Sequence, residues 1–204
     1  MRHRLRMVPF LMIALALAGV AFAEPIGSHW ELTPFGGYTL VDGRLLFPGS
    51  GLPLRDTHNF GARLGWQSTS WIAIEAAGGL TSTQEEAPSG RDFSWLHASG
   101  NLVISPAQGR FGGPFAFVGA GFEQSKPGGS TETKSGTMEF GGGLKLWLTD
   151  ALGLRFEARD VTFKPLATAT ASPHVNNIVI GAGVTFAFGA RARDTDGDGV
   201  PDKT

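Results

Sequence analysis

The amino-acid sequence predicts an all-β fold, an eight-stranded antiparallel up-and-down transmembrane β-barrel that follows a cleaved signal peptide. Three observations lead to this prediction. The N-terminus has the pattern of an export signal, the remaining chain alternates apolar and polar residues, and its connections alternate in length. The expected organisation is a signal peptide at 1–23, a membrane-spanning β-barrel at 24–190 and an acidic tail at 191–204.

The first 23 residues combine positive charge, an apolar centre and a small-x-small ending. Arg2, Arg4 and Arg6 precede the run MVPFLMIALALAGVAFA, which closes on the triplet AFA. This order is typical of a secretory signal peptide, with cleavage expected after Ala23. The alternative is a membrane-anchoring helix, but about 17 apolar residues are at the lower limit for a span.

The composition narrows the class of protein. Loss of three arginines with the signal peptide changes the formal net charge from −1 to −4, so the chain is not expected to bind nucleic acid. Charged residues make up 17% of the chain, below the roughly 25% of a typical soluble domain, and 30 residues are glycine. The chain has no cysteine, which excludes disulfides and a lipid-modified N-terminal cysteine.

Four segments after the signal peptide alternate with a period of two, at 29–40, 58–67, 71–80 and 93–104. Such alternation predicts strands with one apolar face. The apolar rows are Trp30, Leu32, Tyr38 and Leu40; Phe60, Ala62, Leu64 and Trp66; Ile72, Ile74, Ala76 and Leu80; and Leu96, Ala98, Leu102 and Ile104. The opposite rows include Glu31, Arg63, Glu75 and His97.

Four further segments bring the number of strands to eight, at 115–122, 137–148, 152–160 and 177–188. In 115–122 it is ambiguous which row is apolar. The other three have clear apolar rows, and the polar positions that oppose these rows include Glu139 and Lys145 in 137–148 and Arg155, Glu157 and Arg159 in 152–160.

The connections between the predicted strands alternate in length. Those at 68–70, 106–114 and 149–151 are short, whereas those at 41–57, 81–92, 123–136 and 162–176 are longer and interpreted as polar. In an up-and-down barrel, this order places all long loops at one end and all tight turns at the other.

The two faces are assigned by their composition, because a soluble barrel with an apolar lumen shows the same alternation. A soluble exterior needs many charged residues, but Gly, Thr, Asn and Gln dominate the polar row here. An unpaired Arg or Lys facing the bilayer midplane costs about 2–4 kcal/mol, whereas charges of both signs can pair inside a lumen. We therefore predict a lumen charge network of Arg63, Glu75, Glu139, Lys145, Arg155, Glu157 and Arg159.

Four stretches resemble a known family. They are LWLTDALGLRFEARD at 146–160, PFAFVGAGF at 114–122, WELTPFGGYTL at 30–40 and NIVIGAGVTFAFG at 177–189. They are similar to the N-terminal β-barrel domain of OmpA-like outer-membrane proteins, the OprF relatives included. The resemblance implies a place in the lipid of a bacterial outer membrane, with both termini periplasmic. It also implies that the barrel assembly machinery reads a final aromatic strand ending near Phe188.

The tail RDTDGDGVPDKT at 193–204 places acidic residues at alternating positions. Asp194, Asp196 and Asp198 precede Gly199, and Asp202 follows. Alternate carboxylates and a glycine turn are typical of calcium loops, but the bidentate acid of an EF-hand loop would fall at position 205. The tail also resembles the start of a thrombospondin type 3 repeat, which in OmpA-like proteins often leads to a peptidoglycan-binding domain. Weak Ca²⁺ binding is expected, and the alternative is a disordered charged tail.

The expected function is structural, with surface display. The paired charges would close the lumen, and the long loops would meet an extracellular ligand. The alternative is a small-solute pore of low conductance, gated by Arg155, Glu157 and Arg159. No catalytic residue is predicted and no cofactor is required, since the chain has neither G-x-S-x-G nor H-E-x-x-H. His97 is interpreted as a hydrogen-bonding group of the lumen. A fragment of a longer protein and a barrel-only relative both remain open.

Overall fold

Eight antiparallel strands close into one barrel in the computed structural model, which describes residues 28–42, 45, 52–85, 90, 92–107, 111–127, 133–149, 151–163 and 174–189. Each strand pairs with its sequence neighbours, and the last pairs with the first. The strands are β1 (His29–Leu40), β2 (Thr57–Gln67), β3 (Ile72–Gln84), β4 (Asp92–Ile104), β5 (Gly112–Pro127), β6 (Thr133–Trp147), β7 (Leu152–Phe163) and β8 (Val175–Phe188). The predicted fold class is confirmed. The predicted signal peptide and the acidic tail lie outside the described residues.

The barrel has two different ends. Connections 68–71, 105–111 and 148–151 lie at the end where β1 begins and β8 ends, the short-turn end. Two of these turns contain the same hydrogen bond. Thr69 Oγ1 accepts a hydrogen bond from the N–H of Ile72 at 3.1 Å, and Thr149 Oγ1 accepts one from the N–H of Leu152 at 3.0 Å. A threonine that bonds its own backbone favours such a turn over continued strand. The opposite end is the long-loop end.

Strand boundaries differ from prediction mainly at the long-loop end. β5 continues to Pro127 and β6 starts at Thr133, so most of the expected loop 123–136 is a hairpin extension. As a result, strict alternation of connection length is wrong: the β5–β6 connection, 128–132, is shorter than the β4–β5 connection, 105–111, at the opposite end. The extensions carry Ser, Thr, Lys and Gln. These polar residues do not show the alternation that marks a strand facing lipid, although their backbones still pair.

The exterior of the barrel is apolar along its middle. Large hydrophobic side chains stand outward there, and Phe60, Leu80 and Met138 are 67%, 62% and 66% exposed. No helix in the described part of the chain is long and apolar enough to span a membrane.

The close approach of β6 and β7 depends on a glycine, Gly143. A Cβ added at Gly143 would lie 1.8 Å from the carbonyl oxygen of Phe156. Only glycine therefore allows the two backbones to approach as they do at this position.

Candidate functional site in the barrel lumen

The lumen contains the charged row of the strands. All seven predicted network residues lie there, between 1% and 6% exposed: Arg63, Glu75, Glu139, Lys145, Arg155, Glu157 and Arg159. The neighbouring positions point outward; on β7, Phe156 is 45% exposed while Arg155 is 2% exposed. The strand LGLRFEARD thus places its ions inside and its apolar row outside, where hydrocarbon would meet it.

Three guanidinium groups and two carboxylates meet in the middle of the lumen. Arg155 Nη1 donates to Glu75 Oε2 at 2.5 Å, and Arg155 Nε donates to Glu157 Oε2 at 3.1 Å. Arg63 Nε lies 3.2 Å from Glu75 Oε1, and Arg63 Nη2 donates to Glu157 Oε1. Arg159 Nη2 lies 3.1 Å from that same Glu157 oxygen. Glu157 therefore bridges three cations that come from β2 and β7.

The network continues through Arg159 to Glu139. Arg159 Nη1 donates to Glu139 Oε2 at 3.2 Å, and Ser99 Oγ donates to Glu139 Oε1 at 2.5 Å. His97 Nε2 lies 3.2 Å from Glu139 Oε2. The Glu139 carboxylate thus contacts both Ser99 and His97. If Ser99 were a nucleophile and His97 its base, a direct hydrogen bond would join them. The contacts of these two described side chains are with Glu139 instead.

Lys145 belongs to a separate cluster near the short-turn end. Its Nζ donates to Glu31 Oε2 at 2.6 Å, and His29 Nε2 lies 3.1 Å from Glu31 Oε1. Lys145 Nζ also lies 5.6 Å from the centre of the Trp147 ring, within reach of a cation–π contact. The network predicted from the sequence includes Lys145 with the other six residues and omits Glu31, although Glu31 is the one acid on the polar row of β1.

Aromatic rings of the lumen pack against the guanidinium groups. Arg63 Cζ lies 4.0 Å from the ring centre of Phe35, and Arg155 Cζ lies 4.3 Å from that of Phe115. These contacts are typical cation–π distances and cover the faces that the carboxylates leave open. The inward rings are not predicted from the sequence, because it is ambiguous there which row of the fifth strand faces the lumen. Glu123 offers a signal for the inward row of this strand. It lies on the same face of the strand as Phe115 and Phe117, and a charged residue is expected to face the lumen rather than lipid.

An apolar cluster, here called the apolar plug, fills the lumen at the long-loop end. Its residues are Leu45, Leu54, Phe93, Trp95, Val161, Phe163, Val175 and Val179. Two of them come from the β1–β2 connection, which was interpreted as polar. That interpretation is wrong for this segment, since LLFPGSGLPL at 45–54 is largely apolar. Burial of these side chains removes them from water.

Hydrogen bonds hold the β1–β2 connection on the barrel. The Asp42 N–H donates to Asn177 Oδ1 at 3.0 Å, and Asp42 Oδ2 accepts the N–H of Asn176 at 3.1 Å. Further along the connection, Thr83 Oγ1 donates to the Arg55 carbonyl at 2.5 Å. The connection is therefore anchored to β8 on one side and to β3 on the other.

The predicted calcium ligands Asp194, Asp196, Asp198 and Asp202 lie outside the described residues, so weak calcium binding stays a prediction. Among the residues that the structure describes, no group of three or more His, Cys, Asp or Glu side chains could hold a metal ion.

The family of the chain is indicated by a sequence-family model. The model, described as the outer membrane protein beta-barrel domain, matches residues 10–186. No curated protein is similar enough in sequence to count as a match.

Solved structures of bacterial outer-membrane proteins are similar in fold. Neisserial surface protein A has a TM-score of 0.54 and 11% identity, and the match covers 80% of this chain and 98% of that one. The N-terminal β-barrel domain of Pseudomonas aeruginosa OprF has a TM-score of 0.46 and 14% identity, over 81% and 100% of the two chains. Ail of Yersinia pestis has the same TM-score, identity and coverage as OprF.

Proposed function

Since this chain belongs to the outer membrane protein beta-barrel domain family, we propose that it has a structural and surface-display role with a closed lumen. The chain is an outer-membrane protein of a Gram-negative bacterium, embedded in lipid. This family membership bears out the outer-membrane β-barrel that the resemblance implied. The proposal concerns what this barrel does in that membrane.

One observation carries the proposal: two different groups of side chains occupy the lumen in series. The central network joins β2, β3, β4, β6 and β7 across the barrel through Arg63, Glu75, Arg155, Glu157, Arg159 and Glu139, with Ser99 and His97 of β4 on Glu139. Nearer the long loops, the apolar plug gathers Leu45, Leu54, Phe93 and Phe163 in one buried cluster. A lumen of eight strands is just wide enough for side chains to fill. The paired charges fill the cross-section of the lumen with side chains. The packed apolar groups make it costly for an ion to leave water.

Conductance in planar bilayers tests the closed lumen. The wild-type barrel should give no channel steps at any salt concentration or voltage. A plug variant (Phe93→Ala with Phe163→Ala) should stay silent because the charge network remains, and only its combination with Arg155→Ala and Glu157→Ala should conduct. Met138→Ala, on the exterior, is the matched control. Channel steps from the wild-type protein would refute the proposal.

The alternative is a small-solute pore of low conductance. A cavity of about 30 Å³ between the plug and Arg159 favours it, because part of a path already exists there. Conduction by the plug variant alone would support this pore and would identify the apolar plug, not the Arg155, Glu157 and Arg159 cluster, as its gate.

We further propose that the long-loop end faces outward and both termini lie in the periplasm. Eight strands bring both chain ends of the barrel to the short-turn end. The absence of cysteine allows a clean labelling test with a membrane-impermeant maleimide on intact cells. Gln84→Cys at the long-loop end should react, whereas Ser70→Cys should react only after the outer membrane is permeabilised. The reverse pattern would overturn this orientation.

Two partners belong to the same proposal. The long loops would display binding groups to an extracellular ligand. The final strand, with Phe186 and Phe188 outward and 46% and 47% exposed, would be read by the barrel assembly machinery. Replacing both rings by Ala should slow assembly in cells while leaving refolding in detergent intact. Unchanged assembly in cells would argue against that reading.

A further inference from the structure

The pairing of β2 with β3 contains one extra residue at the long-loop end. The regular ladder ends at the pair Asn59 and Thr81, and an isolated bridge follows between Leu54 and Glu85. Between these two pairs, four residues of the chain entering β2 oppose three residues of β3. One extra residue on one side of an antiparallel pair is a β-bulge.

The bulge exchanges the side chains that face the lumen. Within β2 the odd-numbered residues point inward, and Asn59 and Arg63 are 7% and 2% exposed. Continued alternation would turn Arg55 inward and Leu54 outward. The structure has the reverse, because Leu54 is 4% exposed in the apolar plug and Arg55 is exposed. A slip of one residue exchanges the two faces of a strand, so the bulge places Leu54 in the plug.

Side-chain hydrogen bonds hold the bulge. Asp56 Oδ1 accepts the N–H of Val41 at 2.8 Å, directly after the last residue of β1. On the other side, Thr83 Oγ1 donates to the Arg55 carbonyl at 2.5 Å. These bonds satisfy backbone groups where the regular ladder is interrupted. Asp56 therefore joins the bulge to β1, and Thr83 joins it to β3.

A second register exists for the same segment. If the regular ladder of β2 and β3 continued past Asn59, Arg55 would stand opposite Glu85. The guanidinium would then meet a carboxylate that is fully buried at the long-loop end, and ladder bonds would replace the side-chain bonds of the bulge. The observed register instead removes the apolar Leu54 from water. Each register thus has a stabilising contact that the other lacks.

We propose that residues 54–56 and β3 form a register switch, and that Asp56 is its latch, the group that holds the observed register. In this register Leu54 completes the apolar plug. A slip of one residue would withdraw Leu54, place Arg55 opposite Glu85 and make the long-loop end of the lumen polar. The switch rests on the closed lumen proposed above, since it is the device that would open the apolar plug.

Disulfide trapping tests the two registers, because the chain has no cysteine of its own. Leu54→Cys with Glu85→Cys reports the observed register. These residues form a non-hydrogen-bonded pair, whose Cα atoms lie about 4.5 Å apart, within disulfide range. Arg55→Cys with Glu85→Cys reports the slipped register, because Arg55 and Glu85 point to opposite faces in the observed one.

The first pair should form a disulfide readily in the folded full-length barrel. We expect the second pair to do so about 10–1,000-fold more slowly, since a minor state is typically 0.1–10% populated. Asp56→Ala should raise the second rate by about 2–12-fold, the factor that corresponds to one hydrogen bond. Asp56→Asn keeps the acceptor oxygen and should leave the rate unchanged. A second pair that stays reduced even with Asp56→Ala would overturn the switch, as would equal effects of the two Asp56 variants.

Maleimide labelling of single cysteines gives a second measurement. Leu54→Cys should react slowly in the wild-type background and faster with Asp56→Ala. Val103→Cys is the matched control, because Val103 is 3% exposed in a separate apolar cluster near the short-turn end, and it should stay unreactive in both backgrounds. Equal gains at both positions would indicate general loosening of the barrel and would overturn the switch. Channel steps from the wild-type barrel would refute the closed lumen without changing either readout of the register.

Discussion

Glu157→Gln gives a sharp test of the central network. This carboxylate contacts the guanidinium groups of Arg63, Arg155 and Arg159, and the change keeps its shape while removing its charge. In the wild type, these three cations face Glu75, Glu139 and Glu157, so the cluster is neutral. The variant retains one uncompensated positive charge inside the lumen. Removing one partner of a buried pair costs about 3–5 kcal/mol, and that is the expected loss in the free energy of unfolding.

The assay is urea-dependent folding and unfolding into lipid vesicles, followed by tryptophan fluorescence. Asp92→Asn is the control, and a surface change of this kind should stay within about 0.5 kcal/mol of the wild type. In the double variant with Arg63→Gln, the total cost should fall below the sum of the single costs by about 0.5–3 kcal/mol, because the two groups contact each other. A loss below about 1 kcal/mol for Glu157→Gln would refute the reasoning and indicate a lumen wet enough to screen its charges.

Three other predictions test the exterior, the strand spacing and the tail. Val118→Arg, at the middle of the outward row of β5, should reduce the free energy of unfolding in vesicles by about 2–4 kcal/mol; a neutral effect would contradict contact with lipid. Gly143→Ala should cost about 1–3 kcal/mol because its Cβ meets the Phe156 carbonyl, whereas Gly100→Ala, with open space at its Cβ, should cost less than Gly143→Ala in the same unfolding assay. Calcium titration calorimetry should give a Kd of about 10⁻⁴–10⁻³ M, abolished by Asp196→Asn with Asp198→Asn; identical heats in both proteins would rule out the tail as the ligand.

The strands were predictable because lipid imposes a strict pattern on them. On β7, a period of two separates Leu154, Phe156 and Ala158 from Arg155, Glu157 and Arg159, and the cost of charge in hydrocarbon decides which row turns inward. Boundaries at the long-loop end were not predictable, since the extensions of β5 and β6 carry polar residues on both faces. There the backbone pairs without any apolar row to mark it.

The sequence predicts which charged residues face the lumen better than it predicts which of them pair with each other. Residue type and parity place Arg63 and Lys145 inside the barrel, but parity does not give their height along the axis. Tilt and register place Arg63 with Glu75 and Glu157, and they place Lys145 with Glu31 near the short-turn end. These pairs join residues that are up to 114 positions apart, and such distances are set only when the barrel closes.

By itself, the sequence determined the class of fold, the number of strands and which face of a strand turns to the lumen. All three follow from the local alternation of apolar and polar residues, because lipid is a uniformly apolar solvent. Tertiary structure alone decided the apolar plug, the division of the charges into two clusters and the bulge that turns Leu54 into the lumen. Those features depend on which side chains meet across the closed lumen. That meeting is governed by strand register, which has no local signature in the chain, and by the docking of Leu45 and Leu54, whose apolar character the sequence shows but whose partners it does not.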